Sequence, residues 1–517
     1  MRNRTVMARI RVVGSSLLFY LLTFLPLSMA AEDVMHPIGC RRGTPRQETT
    51  LRRAQYPTSH CGGDFYEGTR RQLVVLASFK DRQFQGDEAA TIEQWDKIFN
   101  DQNLTEYPFH GSVHDYFYEQ SYGQFNVVFD LQYVQVDSCK KYRSTQSEDE
   151  NSQYLVDDAL DILLTRDIDW SLYDWNDDGY INQLIFVYAG SGSAYGGFGG
   201  DTNSIWPHQW RLNEHMDLTT PTLYDYRDAR SFESDGKTYI VDVYCAVQEI
   251  GVNGGYDSFG TICHEYTHCF GFPDFYYGKT STFLGNWDLM DYGNKTGGGY
   301  CPPGYSAHER WMMGWLKPIE LTEPVTITDM PPLSEAGLAY MICNDDYPEE
   351  YYIVENRQPI GFDEKLPGAG VFIFHIDFDE SLWIGYAVGP PNTPQTQHYT
   401  VIPANNWSSY YFQSGWAYPY QNNNSLTDTS EPVARLWHAR SEGGSTLMSK
   451  PLYNIAVNSN GLASFDFMED ASAIKAVEVM SPTGQRWYDL QGYLVTTPSH
   501  GIYIVRYPDG TIKKVFR

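Results

Sequence analysis

The chain has 517 residues, 37 Lys and Arg against 65 Asp and Glu, and a formal net charge of -28. This length predicts two or three domains, and 42% hydrophobic residues exclude global disorder. So acidic a chain is not expected to bind nucleic acid or an anionic membrane surface, and 40 Tyr point to a β-rich protein rather than a helical bundle.

Residues 1–30 carry Arg2, Arg4, Arg9 and Arg11 and no acid. An apolar run from Val12 to Leu25 follows, then Pro26 and the small residues Ser28 and Ala30. This is the three-part pattern of a secretory signal peptide, and the run is short for a membrane span of about 20 residues. The expectation is a secreted or cell-surface protein with no stable transmembrane segment after processing. Its removal shifts the charge from -28 to -32, because four Arg leave and no acid does. Eight Cys remain, an even number that permits disulfides whose pairing cannot be read from sequence.

Residues 31–72 hold seven Arg against five acids and show no periodicity. They are read as a pro-segment, with Arg52-Arg53 and Arg70-Arg71 as protease-sensitive pairs; an ordinary N-terminal extension is the alternative. Leu73 to Phe79 opens a buried strand. From 73 to 320 strands and helices mix, with helical spacing over Tyr154–Leu164 and a strand at Leu184–Tyr188. Residues 321–469 read as β, either completing this domain or packing on it. Residues 470–517 form a small β-type tail with turns at Asp489–Gly492 and Tyr507–Gly510. The fold class is α+β, with a twisted sheet and an active-site helix.

Asp174, Asn176 and Asp178 stand at positions 1, 3 and 5 of a loop with Gly179 at position 6, followed by Tyr180 and Asn182. That is how a Ca²⁺ loop begins, although Ile185 replaces the Glu expected at position 12. Ca²⁺ is expected here, with a plain Asx-rich turn as the alternative.

The decisive segment runs His264-Glu265-Tyr266-Thr267-His268, then Gly271 and Asp274. Histidines at i and i+4 sit one turn apart on one helix face and can both reach one tetrahedral Zn²⁺. Gly271 can end the helix at positive φ, and Asp274 can return a third ligand. A fourth position is left for water, with Glu265 to take its proton and deliver it to the leaving amine. Trp287 to Gly293 follows; Met290 there suits the Met-containing floor of metzincin-type proteases. Tyr292 is expected either to reach the metal or the oxyanion, or to be a packed aromatic.

These residues carry a resemblance. The zinc segment, Asp115-Tyr116-Phe117, Ser121-Tyr122-Gly123, Val187-Tyr188-Ala189-Gly190, Ile205-Trp206-Pro207-His208, Trp287-Asp288-Leu289-Met290 and Gly314-Trp315-Leu316 resemble the immune inhibitor A family of secreted metallopeptidases. The likeness continues into Glu355-Asn356-Arg357 and Phe374-His375-Ile376-Asp377. It implies a zinc endopeptidase with a metzincin-like catalytic domain, exported as a latent precursor and acting on protein or peptide substrates. By position, His264, His268 and Asp274 are the ligands and Glu265 the base. Trp487–Gly492 and Gly501–Val505 resemble C-terminal tails of exported Bacteroidetes proteins, implying attachment to, or passage across, the cell surface.

Weaker candidates are His208, His375 and Asp377, structural or lining the cleft, and Glu309, the rival third ligand. Cys40, Cys61 or Asp64 could block the zinc from the pro-segment. Cys263 and Cys269, about 9 Å apart along a helix, cannot bond to each other. Two other readings of the whole are a non-catalytic surface adhesin or glycan-binding protein with a structural zinc site, against which Glu265 argues since a structural site needs no base, and a zinc amidase or hydrolase acting on a non-peptide substrate.

Overall fold

Leu73 to Phe79 shows no apolar alternation because both faces of its strand are covered. In the computed structural model, which describes residues 64–142, 151–194, 204–212, 215–216, 224–225, 230–251, 255–256, 259–277, 282–379, 382–383, 391–468, 475–477, 486–488, 495, 502–506 and 512–516, this run belongs to β1 (Gly68–Phe79). The following elements are α1 (Glu88–Asn100), α2 (Val113–Gln120), β2 (Phe125–Val136), α3 (Gln153–Leu163), β3 (Tyr180–Ile181), β4 (Leu184–Ser191) and β5 (His208–Arg211). Next come β6 (His215–Met216), β7 (Tyr224–Asp225), β8 (Arg230–Ser234), β9 (Lys237–Val241), β10 (Val243–Ile250) and α4 (Phe259–Cys269). The main sheet has the order β2-β1-β4-β10-β5. Its first four strands are parallel and β5 is antiparallel. Parallel neighbours require long crossovers, and α1, α2 and α3 lie in them.

The sheet begins earlier than the boundary expected at residue 72. Arg70 and Arg71 lie inside β1: Arg70 Nε donates to Phe65 O at 3.1 Å, and Arg71 Nε to Asp130 Oδ2 at 2.7 Å. Upstream, buried Tyr66 donates from its hydroxyl to Cys269 O, and Trp315 Nε1 donates to Tyr66 O at 2.9 Å. A peptide bond within a paired strand is out of a protease's reach, so Arg70-Arg71 is not a cleavage point of the folded chain. Arg52-Arg53 lies outside the described residues.

The second half starts with α5 (Ala307–Met312), β11 (Ile319–Glu320), β12 (Val325–Met330) and α6 (Leu333–Ala336). Then come β13 (Ala339–Cys343), β14 (Glu350–Arg357), β15 (Gly370–Asp377), β16 (Tyr399–Val401), β17 (Leu452–Val457), β18 (Ala463–Phe467) and β19 (Lys475–Val477). One sheet is β11-β13-β14-β15-β16 and another β17-β18-β12-β19. Strand periodicity divides β13–β15 between two cores. Met341, Ile353, Phe372 and Phe374 join the core of the main sheet. Tyr340, Ile342, Val354, Val371 and Ile373 join a second core against Ile327, Phe465 and Phe467. Residues 321–469 therefore share a core with the first part rather than forming a separate body. The expected boundary at 470 also shifts, because β19 pairs with Val325–Ile327 of β12. β20 (Arg486–Tyr488), β21 (Ile502–Arg506) and β22 (Ile512–Phe516) form a small antiparallel sheet. Among the described residues no helix is long and apolar enough to cross a membrane.

Candidate metal centre

All residues of α4 are buried, so the helix is enclosed on every side rather than carrying one apolar stripe. Its fit depends on Gly260, where an added Cβ would stand 2.2 Å from Asn294 O. Tyr266 faces the sheet side, donating from its hydroxyl to Gln72 Oε1 at 3.0 Å. Beyond the helix, Gly271 has φ +99°, a conformation a side chain resists, and the chain turns back there.

The turn returns Asp274 to the histidines. Asp274 Oδ1 lies 3.2 Å from His264 Nε2 and 3.3 Å from His268 Nε2. On their far sides, His264 Nδ1 donates to Leu289 O at 2.8 Å and His268 Nδ1 to Phe272 O at 2.6 Å. A neutral imidazole has one N–H; using it at Nδ1 leaves a lone pair at Nε2. Two such lone pairs face a carboxylate oxygen that is buried and has no hydrogen-bond donor. Three converging acceptors repel one another unless a cation lies between them. Tetrahedral bonds of about 2.0–2.1 Å put ligand atoms ~3.3–3.4 Å apart, close to the separations observed. The residues present therefore fit a metal ion with zinc's nitrogen and oxygen preferences. Among the described residues this is the only group of three or more His, Cys, Asp or Glu whose ligand atoms lie within 4.8 Å of one another.

Burial opposes ionisation of Asp274, but the charges of His268 and His264, when protonated, outweigh it and hold the carboxyl well below the usual range. Glu265 is buried beside His264 on the same helix. Tyr276 was not among the residues the sequence singled out: burial first, then the charges of Asp274 and Glu265, push its phenol far above its ordinary value. Its only sequence signal is its place two residues after Asp274. Tyr292 instead packs its ring between Tyr276 and Tyr410, at 6.0 and 5.7 Å, with Lys295 Nζ 5.5 Å from its ring centre. The packed-aromatic alternative describes that position.

The floor is the turn Asp288–Gly293. Met290 is buried there, and its carbonyl accepts from Phe275 N at 2.9 Å. Leu289 supplies the carbonyl that orients His264. Behind it, a buried ionic network joins the two halves of the chain. Arg357 donates through Nε to Asp363 Oδ2 at 2.7 Å, through Nη1 to Glu355 Oε1 at 3.0 Å and through Nη2 to Gly304 O at 2.9 Å. Asp363 and Glu355 accept in turn from Gly304 N and Ala307 N. Between these, Tyr305 bonds Thr267 of α4 through the two hydroxyls. The network thus holds the support of the ligand helix.

The other candidates are placed elsewhere. Glu309 caps α5, its Oε2 accepting from Ser306 N at 2.7 Å, and is not in the metal group. His375 pairs with Glu350 at 2.8 Å and stacks on Trp437, while Asp377 pairs with His398 and His438. His208 Nδ1 donates to Trp206 O at 2.6 Å, and its Nε2 lies 3.2 Å from the Tyr244 hydroxyl. The six described cysteines are buried, and Cys263 and Cys269 are free thiols; Cys40 and Cys61 lie outside the described residues. In the Asp-rich loop, Asp174 accepts from Asp178 N at 3.0 Å, Gly179 N at 2.9 Å and Lys237 Nζ at 2.7 Å. Lys237 also pairs with Asp177, and Asn182 Oδ1 accepts from Trp175 N rather than facing a shared centre. Tyr180 N donates to Asp178 Oδ1 at 2.9 Å. The ammonium of Lys237 thus stands against two of the loop's carboxylates, and the hydrogen bonds within the loop are those of an Asx-rich turn.

Residues 67–317 match the family model of the immune inhibitor A peptidase M6 catalytic domain. The match opens just before β1 and closes after α5, so it contains the whole metal group. It supports a metallopeptidase, hence a metal-dependent hydrolase of protein substrates, and the mixed α/β build with several sheets and few helices fits such a domain. No curated protein matches the chain.

Proposed function

We propose that the chain is a secreted zinc endopeptidase with a metzincin-like site. The observation that carries this reading is the convergence of His264 Nε2, His268 Nε2 and Asp274 Oδ1, with both Nδ1 hydrogens committed to backbone carbonyls. When bound, zinc supplies Lewis-acid chemistry, acidifying water and polarising a carbonyl. Glu265 takes the proton from the attacking water and passes it to the amide nitrogen of the leaving chain. Leu289 O and Phe272 O keep the imidazoles in the ligating tautomer. Buried α4 and the turn below it hold the ligands still and keep water from the far side of the site.

Export rests on the leader pattern of residues 1–30, and latency on the reading of the segment after it as a pro-segment. Surface sorting by the tail rests on its resemblance alone.

The test is metal analysis combined with casein cleavage. One zinc per chain is expected, with cleavage abolished by chelator and restored by zinc. Glu265→Gln should keep the zinc and lose cleavage by about two to four orders of magnitude. A Glu265→Gln protein that cleaves as fast as wild type refutes the role of Glu265, and a structural site would retain zinc while neither protein cleaves.

A further inference from the structure

Tyrosine rings lead outward in short steps from Tyr276, two residues after Asp274. Tyr276 meets Tyr292 at 6.0 Å, Tyr292 meets Tyr410 at 5.7 Å, and Tyr410 meets Tyr411 at 6.0 Å. The path ends on a segment that exposes three large aromatics: Tyr411 at 88%, Trp407 at 59% and Phe412 at 47% of their surface. The Trp407 and Phe412 rings lie 4.8 Å apart.

This segment is braced, not loose. Asn405 Nδ2 donates to Phe412 O at 2.8 Å, Asn405 Oδ1 accepts from Trp407 N at 3.0 Å, and Trp416 Nε1 donates to Trp407 O at 2.7 Å. It is fastened to the floor of the metal site, where Gln413 Oε1 accepts from Asn286 N at 2.8 Å and Gln413 O from Trp287 Nε1 at 3.2 Å. The rings are therefore held in water by a stiff loop that already makes its own hydrogen bonds. Exposed apolar clusters of this kind mark contact surfaces, and Tyr and Trp give large contact area at low entropic cost. At ~3.3 Å per residue of extended chain, the three ring steps span at most about five residues.

We propose that Tyr292, Tyr410, Tyr411 and Trp407 form a substrate subsite. It takes an aromatic or long apolar side chain of an extended polypeptide, within about five residues of the bond aligned on the metal group. The occupant is a peptide because the strip is continuous with the site whose chemistry is peptide hydrolysis; the inference rests on that reading. Stacking on these rings gives specificity through binding rather than through the chemical step, so KM carries the preference.

The experiment uses the zinc-loaded full chain and matched peptides that carry Phe or Ala at one position, moved along the peptide. Wild type is expected to prefer the Phe peptide by about tenfold in kcat/KM at one or two positions. Trp407→Ala with Tyr411→Ala should remove most of that preference, through KM; both side chains are exposed, so an unchanged Tm verifies folding. The same pair of substitutions in the Glu265→Gln background should weaken binding of the Phe peptide, measured by fluorescence anisotropy, by a similar factor. Equal Phe-to-Ala ratios in wild type and variant overturn the subsite, and leave the peptidase reading intact if both cleave. Absence of cleavage by zinc-loaded wild type overturns the peptidase reading, and the anisotropy arm still decides the strip: binding indifferent to Trp407 and Tyr411 rejects it.

Discussion

Replacing Arg357 by Met tests the tie between the two halves of the chain. Arg357 is fully buried and holds Asp363 at 2.6 and 2.7 Å and Glu355 at 3.0 Å. Met keeps most of the side-chain volume but removes the guanidinium that binds both buried carboxylates directly. Breaking a buried pair from one side costs about 3–5 kcal/mol, because a charge is left uncompensated. Burial already raises Glu355 above its ordinary value, and Arg357 opposes that rise. Without Arg357 the Glu355 carboxyl should rise further. A group whose folded pKa is raised stabilises the fold fully below the unfolded value and loses that contribution as pH rises through the folded one. The loss in Arg357→Met should therefore be largest at pH 7.5 and shrink towards pH 5. Guanidinium midpoints of wild type and variant at both pH values measure it. Because Gly304 and Ala307 hang on the same carboxylates and flank Tyr305, zinc content should fall as well. A change below about 1 kcal/mol at pH 7.5, or an equal change at both pH values, would refute the reasoning.

Three further outcomes are expected. Glu119 and Glu309 are pushed up to about 7, chiefly by burial, so metal-free wild type should lose stability between pH 5 and 8, by roughly 3 kcal/mol per group at most. Asp274, held low, should matter only in acid, and a flat denaturation midpoint over that range contradicts the account. Gly260→Ala should cost about 1–3 kcal/mol and reduce zinc retention, since its Cβ meets Asn294 O; an unchanged Tm would mean that the 292–299 turn yields freely. Lys237→Met should leave Asp174 and Asp177 without their cation, so that Ca²⁺ raises the Tm of the variant but not of wild type; a wild-type response of equal size would restore Ca²⁺ to that loop.

The sequence by itself determined what is local. The i, i+4 spacing of His264 and His268 brings both imidazoles to one helix face whatever surrounds the helix, and Gly271 marks where the backbone must turn. The unbroken apolar run of β1 announced a strand covered on both faces. Tertiary structure decided what depends on residues distant in the chain. The Nδ1 partner of His264 is Leu289 O, twenty-five residues away. A charge pattern can nominate Asp174, Asn176 and Asp178, but only the pairing of β3 with β9 brings Lys237 against them. Sequence left Tyr292 open between a catalytic and a packed role; the tertiary structure sets its ring between Tyr276 and Tyr410. Domain ends behaved alike: Tyr66 and β19 are held by contacts with Trp315 and β12, which composition cannot register. Local spacing constrains geometry over one or two helical turns; beyond that, partners are chosen by the packing of the whole core.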